Sequence, residues 1–107
     1  DLQDAINTIG TELRKHYLDL ELARQLWQTQ QRALEIAIAA SEATRKAFDA
    51  GARSNIDLLN SQQAIFSARQ ALASARAEVL LAQTRILASI EGLSVAALER
   101  MEAAFGD

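Results

Sequence analysis

Apolar residues in the first half of the chain recur at alternating spacings of four and three. The series runs Leu2, Ile6, Ile9, Leu13, His16, Leu20, Ala23, Trp27, Gln30, Leu34, Ala37, Ser41, Thr44 and Phe48. Ten of these fourteen positions are apolar, which is the period of a helix seam and not of a strand. A second stripe lies beside it: Leu18, Leu22, Leu26, Ala33, Ile36, Ala40, Ala43 and Ala47. Two adjacent stripes predict a helix covered from more than one side. Side chains shrink along this arm from Leu, Ile and Trp to Ala, Ser and Thr, so the helices are expected to draw closer toward residue 50.

The second half is more regular. Large residues return every seven positions, at Leu58, Ile65, Leu72, Val79, Ile86 and Leu93. Small ones sit between them at Ser61, Ala68, Ala75, Ala82 and Ser89. A strict heptad keeps one seam against a partner helix only through left-handed supercoiling. Periodicity alone fits any antiparallel coiled coil.

Between the arms lies Ala50-Gly51-Ala52-Arg53-Ser54-Asn55. Gly51 can take the left-handed conformation that ends a helix. Ser54 is placed to cap the next helix, with Asp57 three residues on as the capping-box acid. Stop, turn and start signals this close together make the arms antiparallel neighbours. The same signals return at Gly92 and Ser94, ahead of Val95, Leu98, Met101 and Phe105, and predict a short separate helix. Gly10 either weakens a continuous first helix or marks where its regular part begins.

Composition sharpens this picture. The four glycines, at 10, 51, 92 and 106, leave two uninterrupted 40-residue runs, 11–50 and 52–91, in a chain without proline or cysteine. A 40-residue helix is about 60 Å long, whereas a compact globule of this length has a radius of gyration of about 13 Å. The expected fold is therefore all-α: a long antiparallel helical hairpin plus a short C-terminal helix. The net charge of −3 has no basic block, which argues against nucleic acid as a partner. No apolar run approaches the ~18 residues needed to span a bilayer. The chain opens on Asp1 and shows no signal peptide, as a segment of a longer or processed protein does.

Catalytic chemistry is sparse. His16 is the only histidine, so no two-histidine metal site can form within one chain. Its seam position predicts a hydrogen-bonded packing residue. There is no cysteine nucleophile and no phosphate-cradling glycine loop, and Asp19 and Glu21 face different ways on a helix. No enzyme, metal or cofactor is expected. Phe48, Arg53 and Asp57 crowd the turn at the end of the rod. They read equally as helix-end chemistry or as a docking or gating surface.

The stretch from Ala47-Phe48-Asp49-Ala50-Gly51 to Ile56-Asp57-Leu58-Leu59-Asn60 carries a further pattern. Gln63, Phe66, Ala68, Arg69, Leu72 to Arg76 and Gly92-Leu93 continue it. Together they resemble the second periplasmic hairpin of TolC-family outer-membrane efflux and type I secretion channels. The match is close over 48–93 and looser over 1–47. The resemblance implies a homotrimeric channel with a β-barrel in the outer membrane and a helical periplasmic tunnel. It also implies hairpin tips that engage a periplasmic adaptor and an inner-membrane transporter. Residues 1–50 would be the first tunnel helix, 51–54 the tip turn, 55–92 the second helix, and 93–107 an equatorial-type helix and tail.

Carried over by position, Phe48, Gly51, Ala52 and Arg53 fall at the adaptor-docking tip, Gly51 matching the tip glycine. Phe48 stands where some members have a tyrosine, and lacks its hydroxyl. Asp57 matches an acid at the pore constriction, and Asn60 replaces a second one. Two other readings fit the pattern: the α-hairpin of a periplasmic adaptor, and a generic coiled-coil or helical-bundle scaffold.

Overall fold

Two helices account for nearly all of the backbone in the computed structural model, which describes residues 1–105. Helix α1 runs Leu2–Asp49 and α2 runs Asn55–Phe105. They pack antiparallel into a rod measuring 86 × 18 × 14 Å. The radius of gyration is 23.9 Å, against about 13 Å for a compact chain of this length. The expected hairpin is present.

The sequence seam is the buried seam. From Ile9 to Phe48, every residue of the first-arm series is half-buried or buried. On α2 the same holds for the heptad positions from Leu58 to Ser89. Leu20, Val79, Ala82 and Ile86 form the core cluster, with Leu13, Ala23 and Trp27 packed against it.

One cross-helix contact reports the register: the hydroxyls of Ser41 and Ser61 lie 3.3 Å apart. Stepping back seven residues on α1 and forward seven on α2 pairs Leu34 with Ala68, Trp27 with Ala75, Leu20 with Ala82 and Leu13 with Ser89. The intervening steps pair Ala37 with Ile65, Gln30 with Leu72, Ala23 with Val79 and His16 with Ile86. Most of these levels set a large side chain on one helix against a small one on the other. Such alternation lets the seam interdigitate at interior density.

Three expectations are corrected. First, Gly92 does not end the second arm, and 93–107 does not begin with a separate helix; α2 continues through Gly92 and Ser94 to Phe105. A helical glycine costs only ~1 kcal/mol relative to alanine, and the alanine- and leucine-rich flanks offset it. Among the described residues the positive-φ glycine is Gly51, not Gly92. Val95, Leu98, Met101 and Phe105 are exposed on this extension. Positions 106 and 107 of the expected tail lie outside the described residues. Gly10 is likewise internal to α1.

Second, His16 is a seam residue, but its Nδ1 is buried without a hydrogen-bond partner. In the Ser41–Ser61 register the residue level with it is Ile86, which offers no hydrogen-bonding group. Third, α2 contains an 18-residue window that is apolar enough, by length and composition, to cross a bilayer. Heptad-spaced Leu and Ile averaged with many alanines produce this without any unbroken apolar run. Of that window, 17% is buried in the hairpin.

Most of the second stripe of α1 is left uncovered, only Ala33 and Ala47 being half-buried. Leu18, Leu22, Leu26 and Ile36 are exposed, as are Leu59, Phe66, Leu80 and Leu87 on α2. Two helices can bury one seam only.

Candidate functional site

The hairpin tip is built from two interlocked caps. At the end of α1, the Ala52 N–H donates to the Ala47 carbonyl at 2.8 Å and the Gly51 N–H to the Phe48 carbonyl at 3.0 Å. These are the paired bonds of a Schellman motif. The motif needs a left-handed residue, and Gly51 supplies it at φ 79°. At the start of α2, the Asp57 N–H donates to Ser54 Oγ and the Ser54 N–H to Asp57 Oδ2, both at 3.2 Å. This is a reciprocal capping box. The acid also lies at the positive end of the helix, where negative charge is favoured.

Arg53 is left between the two caps. Gly51, Ala52 and Arg53 are exposed, Phe48 is half-buried against the seam, and Asp57 is half-buried in its cap. Asn60 stands one turn further on and is exposed. Five of the six singled-out residues thus gather in or beside one tight turn, and Asn60 extends the group along α2. The turn presents the exposed Arg53 at the end of the rod, with Ile56 69% exposed beside it. Among the described residues, no three His, Cys, Asp or Glu side chains come together as a metal site would require.

A second feature lies along the rod. An open groove of about 660 Å³ is lined by Trp27, Gln31, Arg69, Leu72, Arg76 and Leu80, among others, with no carboxylate in its lining. Sequence reasoning did not single it out. Its signal was the pair Arg69 and Arg76, one heptad apart beside the seam, but its depth depends on how α1 sits against α2. On the opposite side, Asp19, Glu78 and Arg85 border a smaller hollow with Leu22 and Leu26.

Comparison with known proteins agrees with this architecture. Residues 1–92 match the family model described as outer membrane efflux protein. The chain is 32% identical over 105 residues to the alkaline protease secretion protein AprF of Pseudomonas aeruginosa. That alignment covers 98% of this chain and 22% of the relative, so the chain spans about a fifth of AprF's length. No solved structure matches at a comparable level of significance. A family match over most of the chain sets aside the adaptor-hairpin and generic-scaffold readings: the chain belongs to the outer membrane efflux protein family.

Proposed function

We propose that the chain is a tunnel-wall hairpin from the periplasmic portion of a TolC-like outer-membrane channel for efflux or type I secretion. It works as structure and docking surface, without catalysis or cofactor. The observation that carries this reading is the uninterrupted rod itself. Helices of 48 and 51 residues bury one seam and leave further apolar rows open, as a wall element with neighbours on both sides requires. The name of the relative, which speaks of alkaline protease secretion, favours polypeptide export.

In this reading the channel is a homotrimer, and the tip residues Phe48, Gly51, Ala52 and Arg53 meet the periplasmic adaptor that links it to an inner-membrane transporter. The paired caps support the assignment, because a docking end must hold its shape when loaded. Asp57 caps α2 and, with Asn60, faces the pore constriction. Asn60 carries no charge, so the acidic ring at that level is thinner than one built from two acids.

The test uses the full-length channel. Ala52 and Arg53 contribute no side chain to either cap, so Ala52→Phe and Arg53→Glu leave the turn intact. Both variants should assemble normally in the outer membrane and lose most export and adaptor crosslinking. Normal export by both would sink the docking role, and a channel that never assembles would point to a folding role for the tip.

A further inference from the structure

The groove on the flank of α2 carries charge that the hairpin does not answer. Arg69 and Arg76 stand along it one heptad, about 10 Å, apart. Trp27 and Gln31 of α1 border it, and Ala73 and Ala77 of α2 keep it open. No carboxylate lines it. Helix α2 has no acid between Asp57 and Glu78, and Glu35, four residues beyond Gln31 on α1, lies outside the lining.

Beside the two arginines runs an apolar row at heptad spacing: Leu59, Phe66, Ala73, Leu80 and Leu87. Its four large members are between 54% and 63% exposed. The row is about 42 Å long, so only another long helix covers all of it. Ala73 and Ala77 leave a gap between Phe66 and Leu80 that accepts a large side chain as a knob into a hole. Each arginine lies three residues after one member of the row and four before the next, so covering the row also takes water from the arginines. A guanidinium buried without a carboxylate is strongly destabilising. The covering helix must therefore bring the negative charge.

Position and length name its source. The two arginines lie about 21 and 32 Å along α2 from its start, away from the turn where the adaptor meets the rod. The chain spans about a fifth of its relative's length, and the tunnel reading supplies a matching rod in the other hairpin of the channel.

We propose that a helix of the first periplasmic hairpin packs along α2, setting carboxylates against Arg69 and Arg76 and an apolar side chain over Ala73 and Ala77. The proposal rests on the tunnel reading.

The test uses the full-length channel and reads the amount of assembled channel in outer-membrane fractions. Arg69→Glu with Arg76→Glu should lower it at least tenfold; both positions are exposed in the hairpin, so its own seam is untouched. Second-site suppressors selected for restored export should replace an acid of the first hairpin with lysine or arginine. Placed alone in the wild-type channel, those changes should themselves reduce assembly. Normal assembly of the double variant, suppressors confined to residues 1–107 or to the adaptor, or no suppressors at all would overturn the pairing. Leu80→Asp separates this from the tunnel reading, because it should block assembly whatever the charge of the covering helix. If it blocks assembly while the double variant assembles normally, the pairing alone fails. If Leu80→Asp assembles normally, the tunnel reading fails with it.

Discussion

Ser41 and Ser61 hold the two arms of the rod in register through hydroxyls 3.3 Å apart. Ser61 Oγ also donates to the Leu58 carbonyl at 2.7 Å, so its proton is committed and Ser41 is the donor across the seam. A small residue on each arm is what allows this approach. Replacing Ser61 with leucine inserts a large side chain where both neighbours are already close. The expected cost is about 1–3 kcal/mol, read as a lower thermal midpoint by circular dichroism at fixed protein concentration. Ser41→Ala should cost far less; equal losses from both would show that the hydrogen bond, and not the space, matters here.

The glycines should respond with opposite signs. A Cβ at Gly51 or Gly92 meets nothing within 4 Å, so crowding does not decide either case. Gly51 has φ 79°, and a valine there should cost about 1–2 kcal/mol from backbone conformation alone. Gly92→Ala should stabilise by about 0.4–1 kcal/mol, since alanine restricts the unfolded chain and suits the helix. Destabilisation by Gly92→Ala would contradict a continuous α2.

Removing the Ser54 hydroxyl leaves the Asp57 N–H without its side-chain acceptor. Ser54→Ala should cost about 1 kcal/mol, and hydrogen exchange should quicken at the first amides of α2. Slower exchange there, or none of the expected loss, would mean that the capping box contributes little.

His16 places a buried Nδ1 without a partner in an apolar seam. Leucine matches the site and removes the unsatisfied atom, so His16→Leu should stabilise the hairpin by about 1 kcal/mol. An unchanged or lower midpoint would show that the imidazole finds a partner in solution.

Much of the candidate site was legible because its chemistry is local. Gly51, Ser54 and Asp57 announce a helix stop and a helix start through backbone and side-chain bonds spanning a few residues. The same reasoning failed at Gly92 and Ser94, where identical residue types sit within a continuous helix. At Gly51 the chain must reverse to bury two seams against each other. Past Ser89 few seam residues remain to bury, so no reversal is favoured and propagation of the helix prevails.

By itself the sequence determined the two long helices, the seam each buries and the turn between them, because periodicity and capping act within a few residues. Only the tertiary structure decided the register of large against small side chains. It also decided the continuation of α2 to Phe105, the orphaned His16 nitrogen and the groove joining Trp27 to Arg69 and Arg76. The register, the orphaned nitrogen and the groove depend on which row of one helix meets which row of the other, and residues far apart in the chain set that jointly through packing.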